Sequence, residues 1–304
     1  MTDMRGMEVD RLDAPFGVAV RGLDLNAGSS DPAVIDALVD LLHENRFVVI
    51  KNQKFDIEKF ADFGRQWGEP IVHVVKDIRT EECPEVARVG NVGERQREEK
   101  LRYAAAFWHT DQAYEAAPAS ATMLYCLMAP ENGGETMLTD TIAAYDALSD
   151  DMKQRIDDLV ALHAYGAASG RDGEYDARVA LTDEQRRNVV PVRHPIALKH
   201  PFSGRTGLYA VAGTPCGIEG MAEDEARDLL AQLKRHALKP EFRYDHKYEV
   251  GDLAIWDTFA TMHSAVPMPH ASEGERHARL LWRISCRGVP ATVQRRRALQ
   301  KSAR

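Results

Sequence analysis

Two histidines and one carboxylate, His109, Asp111 and His263, are the residues whose types and spacing most clearly offer chemistry. The first pair lies in Trp108-His109-Thr110-Asp111; Trp256-Asp257 and Thr261-Met262-His263 follow far downstream. On a strand, His-x-Asp places both side chains on one face, because side chains alternate with period two. A distant histidine then completes a set that can cap one face of an octahedral metal and leave the opposite positions open. Ligation of this kind suits Fe(II) in non-haem oxygenases. Taken alone, His-x-Asp is a weak signal, since a histidine near an aspartate is more commonly a hydrogen-bonded pair than a metal site.

The elements that must position these residues can be read from periodicity. Asp31-Pro32 opens an amphipathic helix running to about Asn45, with Asp31 as N-cap, Pro32 at the first helical position and Val34, Ile35, Leu38, Leu41 and Leu42 at helical spacing. Phe47 to Ile50 reads as a short buried strand, and residues 57 to 67 as a second helix with Phe60, Phe63 and Gly64 toward the core. Residues 71 to 100 are irregular, and the charge run 94 to 102 reads as a solvated loop, with a mobile lid as the functional alternative. Strands are expected at 107–111, 121–128 and, after the turn Asn132-Gly133-Gly134, at 135–138. Helices are expected at 140–149, at 150–163 with Ser149 as N-cap, and at 222–238. A polar, Gly-rich passage lies around 166–175, and strands follow at 253–256 and 280–284. Short strands with helices mostly before or between them indicate an α+β fold around a β-sandwich.

Bulk properties narrow the class. The 304 residues could make two ordinary domains or one large β-rich one, and no repeat, low-complexity linker or Pro/Gly/Ser-rich boundary divides them. One domain is therefore expected over residues 1–304, with a core of about 17–288 and a basic tail of 289–304. Hydrophobic content of 44% with 28% charged residues describes a soluble globular chain with a sizeable core. A net charge of -8 and a pI near 5.8 argue against nucleic acid as the main partner. The basic cluster Arg295-Arg296-Arg297, Lys301 and Arg304 reads as a frayed, solvated terminus. The cysteines at 83, 126, 216 and 286 form no Cys-x-x-Cys pair, which suits a reducing compartment. Without a signal segment or an apolar run of membrane-spanning length, a cytoplasmic protein with no membrane partner is expected.

From about Gly17 to Gly288 the chain resembles the taurine dioxygenase/2,4-D dioxygenase (TauD/TfdA) group of 2-oxoglutarate-dependent oxygenases. The resemblance rests on several motifs in one order: Trp108-His109-Thr110-Asp111, Gly133-Gly134-Glu135-Thr136, Ala143 to Leu148, His200-Pro201 with Ser203-Gly204-Arg205, Gly251 to Asp257, His263, and Arg279 with Arg283. It implies a double-stranded β-helix (jelly-roll/cupin-like) core with flanking helices, and a homo-oligomer. It also implies that His109, Asp111 and His263 hold Fe(II). Thr136 and Arg279 would then bind the distal carboxylate of 2-oxoglutarate, an arginine being apt because its planar fork holds a carboxylate through two parallel hydrogen bonds. The interval from His263 to Arg279 is longer than usual in the family, and Arg276 lies nearer the habitual spacing. Arg276, however, sits in the polar run 273–277 that reads as loop. Arg279 and Arg283 reproduce the family's Arg-x-x-x-Arg, which on one strand share a face.

His73 and Arg283 match positions that hold an anionic head group in the taurine-oxidising members, and Lys76 lies near them in sequence. They point to a small-molecule substrate bearing carboxylate, sulfonate or phosphonate. Surface charge for Lys76 and a polar core role for His73 are equally consistent. Ala104-Ala105-Ala106 replaces the polar neighbour that taurine dioxygenases show before the Trp-His motif, which implies a bulkier or more apolar substrate; Phe107 and Tyr114 could line its pocket. The resemblance thus implies hydroxylation with consumption of O2 and 2-oxoglutarate and release of succinate and CO2. A desaturase or oxidative decarboxylase would share every cofactor residue. A zinc-dependent hydrolase could use the same three ligands but would have no use for Thr136 and Arg279, and a non-catalytic sensor would need no open metal site.

Overall fold

The computed structural model describes residues 7–28, 31–73, 75–103, 105–165 and 190–295. Ala104, the Gly-rich passage at 166–175 and the basic residues from Arg296 onward lie outside them.

The helix Pro32–Asn45 begins as its sequence dictates, with the Asp31 carboxylate accepting from Ala33 N. It ends at Arg46 in the left-handed region (φ 65°), whose N–H returns to Leu42 O. The helix Ile57–Trp67 is capped in the same way by Asp56. Both bury their apolar stripes against a large sheet.

That sheet runs β1 (Glu8–Arg11), β2 (Val18–Arg21), β3 (Phe47–Ile50), β14 (Leu253–Asp257), β6 (Ala121–Met128), β16 (Leu280–Arg287) and β4 (Glu69–Pro70), with β5 (Ala87–Gly90) also on β16. All pairs are antiparallel except β2 with β3. Its central strands are buried on both faces, so they read as continuous apolar runs. One face (Val48, Ile50, Met123, Tyr125, Leu253, Ile255) packs on the two helices. The opposite face (Val49, Leu124, Cys126, Ala254, Trp256, Leu281) meets a second sheet. That sheet has the order β13 (Arg243–His246), β7 (Thr136–Asp140) and β15 (Thr261–Ala265). In β7, Leu138 points toward the large sheet, while Met137 joins the cluster under the helix Glu223–Ala237. Beside it lie β12 (Pro215–Ile218), β8 (Val160–His163) and β9 (Val192–Pro195), and the hairpin β10 (Ala197–Lys199) with β11 (Thr206–Leu208). Two facing sheets flanked by helices make the expected jelly-roll-type α+β core. Among the described residues, no helix is long and apolar enough to cross a membrane.

Four sequence expectations need correction. Residues 107–111 are not a strand: His109 alone pairs, in an isolated bridge with His263, and the chain then turns, with Gln112 at φ 51°. The expected helix 150–163 ends at Ile156, its only buried residue, and Val160–His163 instead fills the gap between β12 and β9. Inside the irregular stretch 71–100, Ala87–Gly90 is a strand because β16 offers it a free edge. The C-terminal segment also stays packed beyond residue 288: Val289 and Val293 are buried in the main core, and Thr292 Oγ1 donates to Asp36 at 2.5 Å.

Gly64 shows how closely the helix 57–67 approaches β16. A Cβ there would lie 2.8 Å from Ile284 Cδ1 and 3.0 Å from its Cγ2. Alanine is the better helix former by about 1 kcal/mol, but overpacking a filled core costs about 1–3 kcal/mol. Gly64→Ala is therefore expected to lower the urea midpoint; a raised midpoint would show that Ile284 yields without cost.

Candidate metal and 2-oxoglutarate site

His109, Asp111 and His263 come together between the two sheets, with one ligand atom from each lying within 4.8 Å of the other two. His263 stands on β15 opposite Leu138, facing the large sheet. His109 is tied to it by two backbone hydrogen bonds, His109 N to His263 O and His263 N to His109 O, both 2.9 Å. The turn after His109 then brings Asp111 within 3.8 Å of both imidazole Nε2 atoms. The His-x-Asp pair thus converges through a turn and a bridge rather than through strand alternation.

Asp111 is anchored to the large sheet. Its Oδ1 accepts from Arg283 at 2.8 Å and its Oδ2 from Thr122 Oγ1 at 2.7 Å, and Thr122 is hydrogen-bonded in turn to Ser285 across the β6–β16 pair. Burial alone would raise the Asp111 carboxyl, but Arg283, the two imidazoles and the Thr122 hydroxyl outweigh it and hold it well below the usual carboxylate range. His109 is pushed down by burial, against the pull of Asp111, and His263 is brought to about 3 by burial with His109 adding. Both imidazoles are therefore neutral. The hydrogen bond of 2.7 Å between His109 Nδ1 and Phe107 O requires the proton on Nδ1, leaving the Nε2 lone pair toward Asp111. A carboxylate with two neutral imidazoles is the donor set that suits Fe(II).

A second cluster of the same composition, His43, His200 and Asp257, is fully buried. Here His200 Nδ1 accepts from Phe202 N and Ser203 N, at 3.1 and 2.9 Å, so its proton is on Nε2 and points at Asp257 Oδ2, 2.8 Å away. Both ring nitrogens of His200 are consumed by the protein. The pair fixes the corner between β14 and β15, where Asp257 also accepts from Phe259 N.

Thr136 and Arg279 are both buried and meet at one residue that the sequence did not signal, Tyr248. Thr136 Oγ1 lies 2.9 Å from Tyr248 Oη, and the Arg279 guanidinium lies over the Tyr248 ring at 5.3 Å. Thr136 pairs with Ala265, so it is a diagonal neighbour of His263 on one face of the β7–β15 ladder. Arg279 makes no ion pair with a carboxylate among the described residues, and its buried Nε has no hydrogen-bond partner. Gly134 is what admits that side chain: a Cβ there would lie 2.8 Å from Arg279 Cδ, and φ is 74°. Arg276, the alternative by spacing, is on the surface beside Glu131, its side chain 86% exposed.

Of the remaining residues singled out in the sequence, Arg283 sits against Asp111 as described. His73 is drawn into the same field: burial, then Arg283, lower it to about 4. Its Nδ1 accepts from Val75 N, so Nε2 carries the proton. Phe107 packs on the His109 ring at 4.7 Å. Tyr114 is half-buried, 4.8 Å from the Tyr165 ring, and its phenol is raised by burial and by Glu115. Lys76 is exposed on the one-turn helix Lys76–Ile78, a solvated charge. Thr122 and Ser285 on their strands, and Tyr248 in the loop after β13, were missed because an isolated hydroxyl carries no sequence signal.

Burial lowers several imidazoles in the metal-free protein, His73 to about 4 and His163 and His263 to about 3 among them. Unfolded, each returns to about 6.5. A folded value below the unfolded one means stability that is complete above about pH 6.5 and lost as pH falls. The urea midpoint of the metal-free protein should thus drop from about pH 7 to about pH 5, with a shallower drop in His163→Gln, which lies outside the ligand trio. A midpoint that rises on acidification would contradict the buried-neutral assignment.

Residues 8–284 match the model of the family described as "Taurine catabolism dioxygenase TauD, TfdA family". Over 82% of this chain and 88% of the relative, the sequence is 30% identical to the alpha-ketoglutarate-dependent 2,4-dichlorophenoxyacetate dioxygenase of Cupriavidus pinatubonensis. It is 28% identical to the alpha-ketoglutarate-dependent sulfate ester dioxygenase of Pseudomonas putida, over 86% of this chain and 84% of that one. The crystal structure of a taurine dioxygenase from Burkholderia xenovorans superposes with a TM-score of 0.72 at 28% identity, covering 93% of this chain and 89% of that chain. With its motifs in order, its two facing sheets and its His-Asp-His cluster, this chain belongs to the TauD/TfdA family.

Proposed function

We propose that the chain forms one catalytic domain and hydroxylates a small organic substrate carrying an anionic group, as an Fe(II)- and 2-oxoglutarate-dependent dioxygenase that releases succinate and CO2. In this reading His109, Asp111 and His263 hold the iron, and Thr136 and Arg279 hold the distal carboxylate of 2-oxoglutarate. The observation that carries it is the buried Arg279 guanidinium with no carboxylate ion pair among the described residues, lying over the ring of Tyr248, whose hydroxyl meets Thr136, the diagonal neighbour of His263. A buried cation without a counter-ion is unfavourable by several kcal/mol, so the position is suited to receive an anion. When bound, iron and keto acid together supply the O2-dependent oxidation of a C–H bond.

The chain's own residues do the rest. Arg283 and Thr122 keep Asp111 charged and aimed, and Phe107 O fixes the tautomer of His109. Arg283 spends one N–H on Asp111 and has others to give, and His73 offers Nε2–H; the two form the proposed seat for the substrate's anionic group. The relatives named above include dioxygenases of a phenoxyacetate and of sulfate esters, which makes those two classes the first to assay. Phe107 and Tyr114 supply aromatic surface suited to the apolar part of such a molecule.

Anaerobic titration of the metal-free protein with Fe(II) and then 2-oxoglutarate should give the weak visible charge-transfer band of a chelated keto acid. Arg279→Ala should weaken keto-acid binding by at least tenfold, on the scale of about 1.5–3 kcal/mol for a hydrogen-bonded charge. Asp111→Ala should abolish succinate formation. Absence of the band in the parent, or unchanged turnover in Asp111→Ala, would overturn the assignment.

A further inference from the structure

Tyr248 is 4% exposed and packs in the core between the sheets with Leu124, Cys126 and Leu138. The β13–β7 register puts His246 opposite Thr136, and the chain continuing from His246 brings Tyr248 alongside that threonine. It touches both groups assigned above to the distal carboxylate: its hydroxyl lies 2.9 Å from Thr136 Oγ1, and its ring face lies 5.3 Å from the Arg279 guanidinium.

Proton counting limits what this arrangement can do. Each hydroxyl has one proton to donate. If Thr136 donates to Tyr248, it has no proton left for a carboxylate. If Tyr248 donates to Thr136, the threonine proton is free for an anion beside Arg279, and the chain of donors from phenol to threonine to carboxylate strengthens along its length. A carboxylate can only accept, so its arrival selects the second orientation. Burial raises the phenol against the opposing pull of Arg279 and Thr136, which keeps its proton in place. The ring meanwhile offers its negative face to a guanidinium that has no acidic partner among the described residues.

We infer that Tyr248 is a positioning residue for 2-oxoglutarate: its hydroxyl donates to Thr136 Oγ1 and so commits the threonine proton to the distal carboxylate, while its ring supports Arg279. The inference rests on the reading of Thr136 and Arg279 as the distal-carboxylate site. Tyr248→Phe keeps the ring and its packing and removes only the donor.

The test is anaerobic calorimetric titration of the Fe(II)-loaded enzyme with 2-oxoglutarate and, separately, with 2-oxopentanoate, which has a methyl group where 2-oxoglutarate has its distal carboxylate. Tyr248→Phe is expected to bind 2-oxoglutarate about five- to tenfold more weakly, the scale of one hydrogen bond in a charged network, with 2-oxopentanoate unchanged. In a Thr136→Val background the same substitution should cost nothing further, because the relay is already broken. Unchanged 2-oxoglutarate binding in Tyr248→Phe, or equal weakening of both keto acids, overturns the inference while leaving the site reading intact. Unchanged 2-oxoglutarate binding in Arg279→Ala overturns the site reading and this inference with it.

Discussion

The ion pair between Arg283 and Asp111 joins the two halves of the site. Asp111 lies on a turn with no place in either sheet, and its carboxylate is held by Arg283 of β16 and Thr122 of β6. His109, two residues earlier, is held by the other sheet through its bridge to His263. The short segment between them therefore spans the gap between the sheets, and its ends are fixed by different kinds of force. Breaking a buried pair by removing one partner costs about 3–5 kcal/mol, so the turn is held in place strongly. Arg279, immediately before β16, has no acid to sit against among the described residues. The interior thus contains one arginine paired with an acid and one with no carboxylate ion pair among the described residues, the one proposed above to meet 2-oxoglutarate.

Much of this could be read in the sequence where local rules act alone. Asp31 and Ser149 cap their helices as placed, the apolar stripe of 34–42 is buried, and Phe47–Ile50, Ala121–Met128 and Leu253–Asp257 are strands at nearly the expected bounds. The readings failed where a distant partner decides the conformation. Val160–His163 has a pattern that continues a helix as well as it makes a strand, and the open edges of β12 and β9 settle it. Sequence alternation predicts a strand over 107–111, yet only His109 pairs, in an isolated bridge to His263. The same trio assembles on different backbone geometry, because a motif records which atoms must converge and not how the chain brings them there.

The preference for Arg279 over Arg276 shows the same division. Spacing along the chain favours Arg276, but spacing is set by the loop 269–277, and that loop is gathered up by one buried side chain. Asn91 donates to Pro269 O and His277 O and accepts from Arg279 N, so the long connection is pinned at both ends before β16 begins. Gly90 allows this closeness, since a Cβ there would lie 2.1 Å from Arg279 O. A loop tied down in this way can change in length without moving Arg279 relative to the sheets, which supports the proposed choice of Arg279.

The two His-His-Asp clusters carry the comparison furthest. They share composition, and in each, one ligand atom from every residue lies within 4.8 Å of the other two. They differ in where protons sit. At His109 a backbone carbonyl takes the Nδ1 proton and leaves Nε2 as a lone pair facing the carboxylate, a pairing that repels until a cation enters between them. At His200 two backbone N–H groups occupy Nδ1, and the Nε2 proton already satisfies Asp257, an arrangement complete without any cation. One set is built from acceptors that face each other, the other from a donor facing an acceptor. For residues of identical type, the backbone groups on the far side of the ring therefore separate a proposed metal seat from a structural brace, and those groups are placed by the turns at 107–109 and 200–203.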